Sequence, residues 1–236
     1  MIKYSIDTLN QKIKDPFDLE HLFTLLQDAQ LGRAVFSTSL GQEDQLLTDH
    51  IFRHALKIDV FTLDTGRLFQ ETYDVLSTTI KKYKQPINCF YPKHDALAQL
   101  VSSDGINGFY DSVEKRKACC GVRKIEPLRR ALEGAAVWVT GLRQEQSANR
   151  STLHHFEYDK QFDIIKFNPL AKWTLEKVTQ YLDTHKVPQN KLHKDGFVSI
   201  GCAPCTRAIS EGEDIRAGRW WWEASHKECG LHQIKN

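Results

Sequence analysis

A chain of 236 residues fits one large domain, or one domain with an appendage. Hydrophobic residues make up 41 %, aromatic residues 10 % and charged residues 26 %, which excludes disordered and collagen-like classes. Basic residues number 32 and acidic residues 30, leaving a net charge of +2, so no general attraction to nucleic acid is expected.

The first residues contain no sustained apolar stretch, and Asp7 and Asp15 place charges within the N-terminal segment, so a secretory signal is not expected and the cytoplasm is the default compartment. The longest uncharged, mostly apolar run, Gly134 to Leu142, is far short of the roughly 20 residues that span a bilayer. The near-zero charge hides one cluster. Between Glu114 and Arg130 there are seven basic residues (Lys115, Arg116, Lys117, Arg123, Lys124, Arg129, Arg130) against Glu114 and Glu126, a local +5.

In chain order, helical spacing over Phe17–Gln30 precedes a β-branched run at Arg33–Ser37. Helix Glu43–Ala55, strand Asp59–Leu63, helix Leu68–Tyr83 and strand Ile87–Tyr91 come after it. A long helical stretch, Lys117–Glu133, leads to strands at Ala136–Thr140 and Phe162–Phe167 and a last helix at Leu175–His185. Such alternation predicts an α/β fold, a parallel sheet flanked by helices, with ligands beyond the carboxyl ends of its strands. No repeat, low-complexity tract or linker marks a boundary. Residues 1–188 read as the α/β nucleotide-binding part, and 189–236, where the periodicity stops, as a C-terminal extension of the same domain draped over the strand ends. Three consecutive tryptophans, Trp220 to Trp222, fall in this extension, and packing it onto the sheet is the default expectation.

The loops after the strands carry the candidate ligand contacts. Ser39-Leu-Gly-Gln-Glu-Asp44 opens a helix, where free N–H groups and the dipole suit a phosphate; the alternative is plain helix capping by Ser39. Asp64-Thr-Gly66-Arg67 ends the second strand, and Asp64 either meets a ribose hydroxyl or caps a turn. Thr140-Gly-Leu-Arg143 ends the fourth, with glycine for close approach and Arg143 for charge. Together these outline a site for an anionic nucleotide. Neither a Walker A motif nor Gly-x-Gly-x-x-Gly is present.

Six cysteines in a chain this long do not make a secreted disulfide scaffold. Cys119 and Cys120 are adjacent; Cys202 and Cys205 form Cys-x-x-Cys. Two such pairs suit a [4Fe–4S] cluster or a structural zinc, a redox dithiol or unliganded core residues being the other readings. Adjacent helical side chains diverge by about 100°, which a many-cornered cluster tolerates better than one ion. Cys229, in a polar segment near the end of the chain, is either a reactive thiol or an inert surface residue. Cys89 reads as a small core hydrophobe. The ten histidines show no metal-ligand spacing, and His154-His155 fall in a loop.

Three segments, Lys117-Ala-Cys-Cys-Gly-Val-Arg-Lys124, Cys202-Ala-Pro-Cys205 and Glu228-Cys-Gly-Leu-His232, resemble the iron–sulfur, adenylyl-sulfate (APS) branch of the phosphoadenylyl-sulfate reductase family. Ser39 to Asp44 resembles that family's modified PP-loop, and the resemblance runs from Ala34 to His232. It implies an adenine nucleotide α-hydrolase-like (PP-loop) fold and a [4Fe–4S] cluster on Cys119, Cys120, Cys202 and Cys205. It further implies Cys229 as a nucleophile that takes the sulfuryl group from APS, His232 beside it, and thioredoxin or a glutaredoxin-like donor releasing sulfite. The phosphosulfate-binding cations would be Lys124, Arg143, Arg216 and Arg219, and the nucleotide contacts Ser39, Gly41, Asp44, Asp64, Gly66 and Gly141. Lys124 comes one helical turn after Cys120, which would put its ammonium between cluster and substrate.

The same reaction on the 3′-phosphorylated nucleotide, PAPS, is the nearest rival; the four cysteines favour APS, since family members lacking them prefer PAPS. An ATP-dependent PP-loop thiolation enzyme is a second, disfavoured because Glu43 and Asp44 add negative charge where a triphosphate would lie. A zinc-stapled nucleotide-binding module is a third. A homo-oligomer is left open. For Trp220 to Trp222, lining the substrate mouth or receiving thioredoxin are the alternatives to packing.

Overall fold

In the computed structural model, which describes residues 2–146 and 150–223, the elements run α1 (Ile2–Gln11), α2 (Leu19–Asp28), β1 (Ala34–Ser37), α3 (Gln42–Arg53), β2 (Ile58–Leu63), α4 (Gln70–Tyr83), β3 (Asn88–Phe90), α5 (His94–Asp104), α6 (Val113–Cys120), α7 (Glu126–Leu132), β4 (Val137–Val139), β5 (Phe156–Asp159), β6 (Ile164–Phe167) and α8 (Leu175–Thr184). The strands form one sheet in the order β3-β2-β1-β4-β6-β5. All pairings are parallel except β5 against β6. From β1 the chain builds outward to β2 and β3, then crosses back to lay β4 on the other side of β1. The order therefore reverses between β1 and β4, and a crevice opens beyond their carboxyl ends.

Alternation along the strands buries both faces. Ala34 and Phe36 of β1, Val137 and Val139 of β4 and Phe167 of β6 join Leu22, Phe23, Leu46, Leu47, Val178 and Leu182 in one core. Val35, Phe61 and Trp138 point the other way, onto Leu128, Ala131 and Leu132 of α7. No described helix is long and apolar enough to cross a membrane.

Each predicted strand and helix is present, with shifted ends, but three elements were not foreseen. β5 carries Glu157 and Asp159 in only four residues, and pairing with β6 alone makes it a strand. α5 has no fully buried residue, and α1 precedes the predicted first helix. The stretch expected as one helix over Lys117–Glu133 begins at Val113, capped by Ser112, and widens into a π-helical segment, Gly121–Ile125, before α7. Pro127 sits in the first turn of α7; it has no N–H to donate, and its ring crowds the carbonyl four residues back. The turn relaxes so that Glu126 N–H donates to Gly121, five residues back.

After Pro188 the chain crosses the strand ends. Gln45 Nε2 donates to the Pro188 carbonyl (2.9 Å) and Asn190 Nδ2 to Thr72 Oγ1 (3.2 Å). Ala203 N–H donates to the Arg67 carbonyl (2.8 Å), and Thr206 bridges Arg219.

Candidate active site

The crevice is a cleft of about 470 Å³. One wall is made by the loops after β1 and β4. Ser39 does not cap α3; the N-cap is Gly41, with no side-chain bond. Instead the Ser39 N–H and Oγ both donate to Asp44 Oδ2, each at 2.6 Å. Burial pushes the Asp44 carboxyl up to about 6, against the lowering effect of these two bonds. The loop that could have cradled a phosphate thus already holds a carboxylate of its own chain. A Cβ on Gly141 would lie 2.1 Å from Asp44 Oδ1, so the two loops touch because residue 141 has no side chain.

Arg143 lines this wall but is committed. Its guanidinium pairs with Glu43 (2.8 Å) and Glu145 (2.8 Å) and donates to the Trp173 carbonyl (3.3 Å), with 5 % of the side chain exposed. Asp64 and Gly66 do not line the cleft; Leu63 and Thr65 do. Asp64 Oδ1 accepts from Gly66 N–H (2.8 Å) and Tyr73 OH (2.9 Å), closing the turn.

The opposite wall is cationic. Lys124, from the π-helical segment, Arg216 and Arg219 all line the cleft. Arg219 N–H donates to the Arg216 carbonyl (2.9 Å), and this turn aims both residues at one place. A Cβ on Gly201 would sit 2.3 Å from Arg219 Nη2, so this glycine admits the guanidinium. Arg150, nearly buried and bonded to Gln146, is a further cation of the cleft that sequence reasoning did not single out; its position shortly after the Thr140–Arg143 loop was the signal that could have found it. Leu68, Leu128, Val198 and Ile200 supply apolar surface for a base.

The cysteines stand behind the cationic wall. Cys202 is buried, lines the cleft and contacts Thr65 Oγ1 (3.2 Å). The thiols of Cys119, Cys202 and Cys205 lie within electrostatic reach of one another, and Cys120 bonds Arg116. Burial, then Cys202, pushes the Cys205 thiol up to about 12, with Lys124 and Arg219 opposing. Burial likewise raises Cys119, opposed by Arg123, whose guanidinium also donates to the Thr65 carbonyl. Among the described residues no three His, Cys, Asp or Glu side chains are spaced to hold a single metal ion. The donor set nevertheless fits an iron–sulfur cluster: partly buried thiols such as Cys119 and Cys205, which resist ionising, would be stabilised as thiolates by bound iron, with cations nearby. Cys89, expected in the core, is half-buried on edge strand β3. Ser147, Cys229 and His232 lie outside the described residues.

Fold and cleft define a nucleotide-binding α/β protein with thiols beside an anion site. Residues 33–208 match the phosphoadenosine phosphosulfate reductase domain. The chain is 53 % identical over 202 residues to the adenosine 5′-phosphosulfate reductase of Agrobacterium fabrum, covering 85 % of this chain and 78 % of that one. It is 49 % identical over 219 residues to the protein of the same name from Burkholderia cepacia, covering 91 % and 87 %. The crystal structure of a phosphoadenylyl-sulfate reductase from Candida auris, a phosphate complex, superposes with a TM-score of 0.70 at 24 % identity, covering 86 % and 96 % of the two chains, and so shares the fold. The chain belongs to the phosphoadenosine phosphosulfate reductase family.

Proposed function

We propose that the chain reduces adenosine 5′-phosphosulfate to sulfite and AMP, with Cys229 as nucleophile and a thioredoxin-like dithiol as reductant, in cytoplasmic sulfate assimilation. The observation that carries this reading is the joining, in one cleft, of loops suited to a nucleotide with Lys124, Arg216, Arg219 and Cys202; relatives bearing the reductase name support it.

The adenosine would lie against the wall that the Ser39–Asp44 and Gly141 loops form together, with Leu68, Leu128, Val198 and Ile200 as its apolar surface. The phosphosulfate would face Lys124, Arg216 and Arg219, with Arg150 a further cation of the cleft. The Cys229 thiolate attacks the sulfuryl sulfur, an S–S bond forms, and the bond from that sulfur to the phosphate oxygen breaks with its electron pair leaving on AMP. The cations stabilise the charge that grows on the leaving phosphate. A thiolate of the donor dithiol then attacks the Cys229 sulfur, sulfite departs with the electron pair of the S–S bond, and the donor's second thiol releases Cys229. The sulfuryl sulfur gains two electrons, and the dithiol becomes a disulfide and gives up two protons. Cys119, Cys120, Cys202 and Cys205 would hold the [4Fe–4S] cluster, which when bound supplies electrostatic polarisation beside the sulfuryl end. Arg143 serves here as a wall residue tied to Glu43 and Glu145 rather than as a substrate cation.

Incubation with APS and no dithiol should add one sulfo group to Cys229, read by peptide mass spectrometry, with release of one AMP. Absence of the adduct, or its appearance on another cysteine, overturns the assignment. Parallel turnover of APS and PAPS measures the preference.

A further inference from the structure

The three tryptophans have three different environments. Trp220 is 1 % exposed and Trp221 49 % exposed, while the Trp222 ring packs on Tyr110 at 4.5 Å. Trp220 also has a backbone φ of +42°, a left-handed conformation that a bulky residue keeps only when its surroundings hold it. Its N–H donates to the Cys205 carbonyl at 3.2 Å. The guanidinium carbons of Arg116 and Arg219 lie 4.6 Å and 4.8 Å from the centroid of its ring system.

The turn at Trp220, closed by Glu223 N–H on the Trp220 carbonyl (2.9 Å), delivers Glu223 to Arg116. The pair is two-pronged, Arg116 Nε to Oε1 at 2.8 Å and Nη2 to Oε2 at 3.0 Å. The two side chains are 3 % and 4 % exposed. Arg116 belongs to α6, the helix that ends in Cys119 and Cys120, and it also bonds Cys120. The same guanidinium therefore touches the cysteine helix, the Trp220 ring shared with the cleft residue Arg219, and the last described residue of the chain.

We propose that Arg116 is a positioning residue which, through its buried pair with Glu223 and its stack on Trp220, fixes Glu223, the residue from which the chain continues to Cys229. Cys229 comes six positions after Glu223, and six extended residues reach about 20 Å. Holding Glu223 confines the Cys229 sulfur to that radius. Upstream of Glu223 the next backbone anchor is Trp220, whose N–H donates to the Cys205 carbonyl (3.2 Å). With the pair gone the reach to Cys229 runs over nine positions (220 to 229) rather than six, and the volume open to its sulfur grows about threefold. The catalytic consequence rests on the reading of Cys229 as nucleophile; the clamp itself does not.

The test uses the double variant Arg116→Met/Glu223→Leu, because replacing both members of a buried ion pair with apolar groups preserves folding better than removing one. The holoprotein is followed by hydrogen exchange at the Glu223 amide, by AMP affinity, and by the single-turnover rate of Cys229 sulfonation at saturating APS. Expected are exchange at that amide at least tenfold faster, sulfonation at least threefold slower, and AMP affinity within twofold of the parent. Arg116→Lys, which keeps one prong, should recover part of the sulfonation rate. Unchanged exchange overturns the clamp whatever the role of Cys229. Faster exchange with unchanged sulfonation, or sulfonation and AMP affinity falling in proportion, overturns its role in positioning. A parent protein that forms no adduct on Cys229 while the variant exchanges faster overturns the nucleophile reading and leaves the clamp established by exchange.

Discussion

The two walls of the cleft handle charge in opposite ways. On the β1 and β4 side, carboxylates and cations are already matched within the chain: Asp44 is held by Ser39, and Arg143 lies between Glu43 and Glu145. On the cysteine side, Arg123 lies within electrostatic reach of the Cys119 thiol, and Lys124 and Arg219 within reach of the Cys205 thiol. A matched wall is rigid and offers a ligand shape. A wall of cations over thiols offers it charge. Under the function proposed above, the first wall would take the adenosine and the second the anhydride of sulfate.

Substitutions separate the two. The largest effect is expected for Cys202→Ser, which should remove both the visible absorbance of the anaerobically purified protein and its turnover; retained absorbance would show that Cys202 is not a ligand. Next comes an acid effect on the helix that carries the matched wall. Burial, with His54 and Arg53 opposing Asp49 and Asp18, lowers His50 in α3 to about 4 from 6.5. The unfolded ring takes a proton near 6.5 and the folded one only near 4, so this stability is complete above pH 6.5 and is lost as the pH falls through that window. About 3 kcal/mol is at stake. Urea unfolding at pH 7 and pH 4 should register the loss, and His50→Phe should abolish that part of it.

Arg143→Met strips Glu43 of its buried partner and should cost about 2 kcal/mol, less than a fully buried pair because Glu43 is 17 % exposed. Lys124→Met, on the other wall, should leave the urea midpoint nearly unchanged and weaken APS or AMP binding about tenfold, the worth of one charge-assisted contact of about 1.4 kcal/mol. If Lys124→Met proves the destabilising change and Arg143→Met the affinity change, the division between the walls is wrong.

Much of the fold was legible because its signals are local. Short β-branched runs bounded by turns located β1 to β4 and β6, and the alternation with helices announced a parallel sheet. β5 was not legible: Phe156-Glu-Tyr-Asp159 becomes a strand only by pairing with β6. Pro127 was in plain view, yet its effect fell upstream, in the π-helical turn that carries Lys124. The site divides in the same way. Gly141 was readable as a place of close approach, and the Cys-x-x-Cys pair as a candidate ligand pair. The commitment of Arg143 to Glu43, 100 positions away, and of Arg116 to Glu223, 107 positions away, was not, since nothing local distinguishes a paired arginine from one awaiting a ligand.

Composition, period and spacing by themselves determined that this chain is an α/β protein with a mostly parallel sheet, and offered its strand-end loops and two cysteine pairs as candidate binding groups. Those properties arise from side-chain size, hydrophobic period and thiol chemistry, all carried by neighbours in sequence. Tertiary structure alone decided which charges pair with one another and which line the cleft. Coulomb and hydrogen-bond energies depend on distance in space and on burial, and folding sets both by bringing together residues that sequence order keeps a hundred positions apart.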